Sequence, residues 1–285
     1  MLLSNMILKA HLEEGEKRGN QVLEIVMVHD CAYVGYELRR GLVNKGIKVQ
    51  HLFFEEVPSK IATLKMALKL RRMRCDVIHA HFCRSPAYAS YLSGTPYIIH
   101  CHGTDVRWGM NWLQKKCLKK AKKVLVSTPD LLEVFPDATW LPNPVDTERF
   151  RSLKQHSENK ILYFPQWYED LSGELKRISE KFGYDITAYS VHPIPYEKMH
   201  LFLNEFDIFV DRFSIKSYSK TALEAMACGI PVIGYEHNWE EALEKLASQR
   251  ERKELVQWQN EYVLPRHKVE TVVSKLINIY QEAED

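Results

Sequence analysis

From Val22 to Tyr235 the chain alternates short runs of β-branched and apolar residues with longer stretches of helical period, and that alternation admits few folds. The strand runs are VLEIVMVHD, KVQHLFF, DVIHAHF, PYIIHCH, KVLVST and ATWLP, then KILYFP, YDITAYS, FDIFVD and IPVIGY. Helical stretches lie between them: GYELRRGLVNKG ending at Gly46, Lys60 to Arg74 and Asn111 to Lys122, with further helices after each later strand and from Trp239 to Ala283. Strand and helix in such alternation build parallel sheets covered by helices. Between Pro142 and Asn159 the pattern lapses into a mostly polar, proline-containing stretch that reads as a linker. The chain has 285 residues, 45% of them hydrophobic, which is enough for two cores. The sequence therefore predicts an α/β protein of two Rossmann-like domains, residues 1–145 and 146–285. Their parallel sheets face each other across a cleft at the strands' carboxyl ends.

Charge and cysteine usage narrow the partners. Lys and Arg number 39 against 37 Asp and Glu, a net +2 that gives no reason to expect nucleic acid. The balance is uneven, with 22 basic and 15 acidic residues up to position 150 and 17 and 22 beyond it. Six cysteines without a Cys-x-x-Cys pair or a dense spacing fit a reduced, cytoplasmic protein. Residues 1–20 lack a basic n-region and read as an extra amphipathic helix, not a signal peptide. No run approaches the roughly 20 apolar residues that span a bilayer, so membrane contact is expected to be peripheral. The segments 60–74 and 108–123 combine many cations with Met, Leu and Trp, a composition that suits an anionic membrane surface at the inner face. The same composition also arises when apolar residues face the core and the cations are solvated.

Three sites stand out. A helix containing Glu224 should start near Tyr218 or Ser219, directly after the strand FDIFVD, and its free N–H groups and positive dipole end suit a diphosphate. Ser219 and Lys220 sit at that start. Glu224, one to two turns in, can accept from both hydroxyls of a ribose, each charge-assisted bond contributing about 1.5–3 kcal/mol. HGTD, His102 to Asp105, follows PYIIHC and opens at a sheet's carboxyl edge. The pairs His79/His81 and His100/His102 have spacing two, which puts each pair on one strand face. Such pairs can build a metal site, although adjacent parallel strands also bring histidines together by accident. The early turn DCAYVGYE keeps only Gly35, so the G-x-G-x-x-G of a dinucleotide site is absent. Gly35 instead suits close approach of the backbone to a donor or acceptor.

The early βα turn, HGTD, LPNPVD, LEAMACGIPVI at Leu223 to Ile233 and a terminal helix occur in that order from Val22 to Tyr280. In these landmarks the chain resembles the retaining glycosyltransferases of family 4, which have the GT-B fold. The resemblance implies transfer of a hexose-type sugar from a nucleotide-diphosphate donor to a glycan or lipid-linked acceptor, with no cofactor and no essential metal. It assigns Glu224, Tyr218, Ser219 and Lys220 to the donor and His102 to the donor sugar near the reacting carbon, with Asp105 orienting His102 or binding an acceptor hydroxyl. The last helix is expected to pack back on the first domain. Two departures matter. The family's second glutamate, eight positions before the first, is replaced by Lys216, which is either a solvated loop lysine or a partner for a phosphate or a sugar carboxylate. The family's R-x4-K pair is missing from FPQWYEDLSGELKR, leaving Lys176, Arg177, Arg212 or Lys220 as substitutes. A catalytically silent glycosyltransferase-like subunit and a GT-B sugar-nucleotide epimerase are the alternatives.

Overall fold

The structure is a computed structural model and describes residues 23–54, 58–190 and 194–284, so the helix expected over residues 1–20 lies outside the described residues. Every predicted strand run contains a strand. The first six are β1 (Glu24–Val28), β2 (Lys48–Leu52), β3 (Val77–His81), β4 (Tyr97–Cys101), β5 (Lys123–Val126) and β6 (Thr139–Trp140). They form one all-parallel sheet in the order β2-β1-β3-β4-β5-β6. The remaining four, β7 (Lys160–Tyr163), β8 (Asp185–Ala188), β9 (Ile208–Val210) and β10 (Val232–Ile233), form a second parallel sheet in the order β10-β9-β7-β8. Strand order reverses between β1 and β3 in the first sheet and between β7 and β9 in the second. Crevices at such reversals, beyond the carboxyl ends, are where open α/β sheets bind ligands.

The helices are α1 (Val34–Asn44), α2 (Lys60–Arg72), α3 (Ser85–Ser93), α4 (Trp112–Lys120), α5 (Ser172–Phe182), α6 (Met199–Leu203), α7 (Lys220–Ala227), α8 (Trp239–Lys245), α9 (Gln249–Trp258) and α10 (Val269–Glu284). On the first sheet α2, α3 and α4 cover one face, and α1 and α10 cover the other. The sequence reading missed α3, because SPAYASYLS has no charged face to contrast with an apolar one. Its Pro86 suits the first turn, and its small buried residues Ala87, Ala89 and Ser90 let neighbours approach closely. The hydroxyls of Ser90 and Ser93 donate to Pro86 O at 2.8 Å and Ser90 O at 2.6 Å, so no buried hydroxyl goes unpaired.

Although last in sequence, α10 completes the first sheet's core. Val269, Val272, Val273, Leu276, Ile279, Tyr280 and Ala283 fall on one stripe and are buried beside Leu38 and Leu42 of α1. Each large side chain so buried stabilises the fold by about 1.5–3 kcal/mol. Chain crossings between the two sheets run side by side, with Val145 N donating to His267 O at 2.7 Å and Val269 N to Val145 O at 3.2 Å. No helix among the described residues is long and apolar enough to cross a membrane.

Contact between α1 and α10 depends on Gly41, where a Cβ would stand 2.6 Å from Val273 Cγ2 and 2.8 Å from Val269 Cγ1. Overpacking of this kind costs about 1–3 kcal/mol, whereas a glycine in an open helical position forfeits up to about 1 kcal/mol relative to Ala. Gly41→Leu should therefore lower stability by about 3 kcal/mol in chemical denaturation. Gly173→Ala on α5, with nothing within 4 Å, should leave it unchanged or raise it by about 0.5 kcal/mol.

Candidate functional site

Helix α7 starts where a serine stops the extended chain. Ser219 has extended backbone angles, and its Oγ accepts from Ala222 N at 3.0 Å. Asp211, just past β9, accepts from Ser219 N at 2.8 Å. Burial raises the Asp211 carboxyl above its ordinary value, and Arg212 and the Ser219 bonds oppose that shift. Lys220 N and Thr221 N have no hydrogen-bond partner among the described residues, so two donors remain at the positive end of the helix. Arg212 stands next to this turn. Its Nη2 donates to Ser217 Oγ at 3.3 Å, while its Nε is buried without a partner among the described residues. At the other end of α7, Gly229 takes φ 75°, and Ile230 N donates to Ala225 O at 3.1 Å, which turns the chain back into β10.

Glu224 is 2% exposed on α7. Its Oε1 accepts from the Tyr196 hydroxyl at 2.7 Å and from the Lys220 ammonium, with which it is ion-paired. Burial first, and then the carboxylates of Glu224 and Glu37, push the Tyr196 phenol far above its usual range, so it stays a donor. The Tyr218 hydroxyl donates to Glu236 Oε2 at 3.2 Å, and its ring lines a cleft cavity with Thr128, Trp140, Tyr235 and Arg266. Lys216 is exposed and makes no ion pair among the described residues. Lys176 and Arg177 lie exposed on α5, so of the cations proposed for a diphosphate only Arg212 and Lys220 adjoin the start of α7. Glu169 directs its carboxylate to Phe213 N and Ser214 N, both at 2.7 Å, and so holds the loop after β9.

On the first sheet, Asp105 is wholly buried and accepts from Cys83 N at 2.6 Å, Gly103 N at 2.9 Å and His102 N at 3.1 Å. It clamps the turn after β4 to the turn after β3 and thereby fixes the backbone of His102. Gly103 takes φ 111°, and a Cβ there would stand 2.1 Å from Nη1 of Arg107, whose guanidinium pairs with Asp130 at 2.6 Å. Burial drives the His102 imidazole down to about 3, so it is neutral at physiological pH. Gly35 N donates to Asp30 Oδ1 at 2.7 Å and Tyr36 N to Asp30 Oδ2 at 3.0 Å, so a carboxylate of the protein already caps α1. The space beside Gly35 is taken by His51 and Asp30, 3.0 and 3.1 Å from where a Cβ would lie. His29, Ala32, Tyr33 and Phe82 all have positive φ, which concentrates backbone strain at the carboxyl ends of β1 and β3.

A sequence profile of Glycosyltransferase Family 4 matches residues 13–149, just under half of the chain, including all of the first sheet. Sucrose-phosphate synthase from Thermosynechococcus elongatus superimposes with a TM-score of 0.66 at 12% identity, covering 91% of this chain and 98% of that one. The catalytic domain of starch synthase IV from Arabidopsis thaliana, bound to ADP and acarbose, gives 0.65 at 9% identity over 93% and 100%. No curated protein matches the chain by sequence. The chain has the GT-B fold, and its first half carries the Glycosyltransferase Family 4 profile.

In this GT-B protein the two carboxyl edges meet through a buried charge network that the sequence did not reveal. Glu37 of α1 is 0% exposed. Its Oε1 accepts from Arg149 Nη2 at 2.5 Å and from the Tyr196 hydroxyl at 3.1 Å, and Arg40 approaches Oε2 at 3.1 Å. Arg40 also pairs with Asp146 at 2.5 Å. Tyr196 thus touches Glu37 of the first sheet's layer and Glu224 of the second's, and its ring stacks on Tyr33 at 3.9 Å. At the cleft mouth Trp108 meets Trp167 edge to face at 5.6 Å, and Trp167 is 77% exposed. Glu37 and Tyr196 alone are separated by 159 positions, so no local pattern announces their contact. Removing one partner of a buried ion pair is strongly destabilising. Arg149→Met should cost about 2 kcal/mol, moderated by Arg40, and the double variant Glu37→Gln/Arg149→Met should recover part of it in a denaturation double-mutant cycle.

Proposed function

We propose that this protein is a retaining glycosyltransferase that moves a sugar from a nucleotide-diphosphate donor to a glycan or lipid-linked acceptor. The observation that carries this reading is the start of α7, where two unpartnered amides, the Arg212 guanidinium and the Glu224 carboxylate gather beyond β9. Amides at a helix N-terminus and a cation suit a diphosphate. Glu224 Oε2 has no partner among the described residues and is left for ribose hydroxyls, while Oε1 is held by Tyr196 and Lys220. Because Glu224 is buried, the donor reaches it when the Tyr33–Tyr196 stack parts.

The roles then divide by chemistry. Ser219 caps the start of the helix and orients its amides, Lys220 pairs with Glu224, and Tyr218 walls the cavity with Tyr235. Neutral His102 hydrogen-bonds a hydroxyl of the transferred sugar, and Asp105 positions it. Retention follows when the acceptor oxygen attacks from the face that the diphosphate leaves, with the developing negative charge held by Arg212 and the helix start. No protein nucleophile is required. Exposed Trp108 and Trp167, with half-buried Tyr168 beside them, form an aromatic group at the cleft mouth that suits the apolar face of an acceptor sugar. On α2, Ile61, Leu64 and Leu68 make an exposed stripe flanked by Lys60, Lys65, Lys69 and Arg72, and Trp112 of α4 is also exposed among lysines. That surface suits anionic lipid.

A second reading, a catalytically silent sugar-nucleotide-binding subunit, is favoured by Lys216, which stands exposed where the family places a sugar-binding carboxylate. Incubation with a series of sugar nucleotides separates the two, since donor hydrolysis or transfer is expected of the enzyme and binding without turnover of the silent subunit. In calorimetry Glu224→Ala should weaken nucleoside-diphosphate binding at least tenfold, equivalent to about 1.4 kcal/mol. Glu224→Gln serves as the better-folded companion variant, and unchanged affinity in both would rule out this site. Ile61→Glu/Leu64→Glu should reduce cosedimentation with phosphatidylglycerol-containing vesicles at least fivefold, and equal sedimentation would remove α2 from the membrane surface.

A further inference from the structure

Four histidines line the face of the first sheet that α10 covers. His79 and His81 alternate along β3, and His100 on β4 pairs in register with His81, so all three project to the same side. All three are 0% exposed. The His79 ring is fixed by a 2.6 Å hydrogen bond between its Nδ1 and the Tyr280 hydroxyl of α10. The His81 ring is fixed by a 3.2 Å hydrogen bond between its Nδ1 and His102 Nε2. These contacts leave His79 Nε2, His81 Nε2 and both ring nitrogens of His100 buried with no hydrogen-bond partner among the described residues.

A buried polar atom left unpaired costs about 1–3 kcal/mol, and four on one small patch are hard to reconcile with a core that elsewhere satisfies its hydroxyls. Valine or isoleucine would fill the same strand positions without that cost. Chance pairing of adjacent strands accounts for the histidines being neighbours. It does not account for Tyr280 and His102 bonding the Nδ1 atoms of His79 and His81 and turning both Nε2 atoms away. One nitrogen from each of His79, His81 and His100 lies within 4.8 Å of the other two.

We propose that His79, His81 and His100 form a buried site for a borderline divalent transition ion, Zn2+ foremost, with Tyr280 and His102 hydrogen-bonded behind the ligands. Three imidazoles without a carboxylate or thiolate suit Zn2+, Ni2+ or Cu2+ and do not suit Mg2+ or Ca2+. Zn–N bonds of about 2.0–2.1 Å require the three nitrogens to draw together by about 1–1.5 Å when the ion loads. Water or hydroxide takes the fourth position. Hydrogen bonds behind the ligands fix ring orientation, and here they also tie the ion to α10 through Tyr280 and to the cleft through His102. The site is therefore structural and supports His102; no step of sugar transfer passes through the ion, and the proposal stands whether or not the chain transfers sugar.

The test uses the wild-type chain, stripped with a chelator, reloaded with Zn2+ and dialysed. About one zinc per chain should remain by elemental analysis, with a raised melting temperature. X-ray absorption should show three imidazole nitrogens at about 2.0 Å. His100→Ala should lose the metal. Tyr280→Phe, which keeps the packing, should bind at least tenfold more weakly. The site is overturned if the folded wild-type chain retains no zinc and its melting is unchanged. It is equally overturned if the absorption spectrum shows sulfur or fewer than three imidazoles, or if folded His100→Ala still holds one equivalent.

Discussion

A carboxylate with no access to water has to be answered by donors, and Glu37 imposes that requirement on both halves of this protein. It is carried by the helix that follows β1, so it is rigid relative to the first sheet. Arg40 of the same helix answers one oxygen, and the donors to the other come from elsewhere: Arg149 from the chain between the sheets and Tyr196 from the second sheet's layer. Tyr196 in turn meets Glu224, which Lys220 neutralises from one helical turn away. Two buried carboxylates, three cations and one phenol therefore form a single unit across the cleft. The low dielectric that strengthens these contacts also makes the absence of any one member costly.

The same unit closes the cleft. Aromatic stacking of Tyr33 on Tyr196 seals the charges from solvent, and Tyr33 holds a left-handed backbone to reach it. Strain at His29, Ala32 and Tyr33 is maintained by surrounding contacts, including the Asp30 carboxylate that caps α1. On the proposed reading, a ligand offering its own hydroxyls and negative charge to Glu224, Lys220 and Arg212 would compete with these internal partners. Closure without ligand and closure around one then differ in which groups satisfy the same buried carboxylate.

All ten strands were legible because buried parallel strands are written as apolar runs such as VIHAH and YIIHC. The start of α7 was legible for a different reason, since Ser219 carries the cap in its own side chain. Helix α3 was not, because its residues are small and uncharged and its stability comes from packing between α2 and α4. Asp105 and Gly35 could be named from the sequence but not understood from it. The oxygens of Asp105 are consumed by backbone N–H groups of two turns, and the space beside Gly35 is filled by His51 and Asp30. Tyr196, Arg149 and Glu37 left no trace at all, since what joins them is the approach of two sheets and not any spacing along the chain.

That α10 completes the first sheet has a consequence for how the protein is made. As the chain leaves the ribosome, β1 to β6 emerge long before residues 269–284, so Leu38, Leu42, Val77 and Ile98 wait without the helix that covers them. The second sheet is synthesised whole in the interval, and its elements are contiguous from Lys160 to Ile233. The core of the first sheet is therefore the last to close. The first half carries an exposed apolar face until residues 269–284 are made, which is the stage at which transient apolar surface favours aggregation.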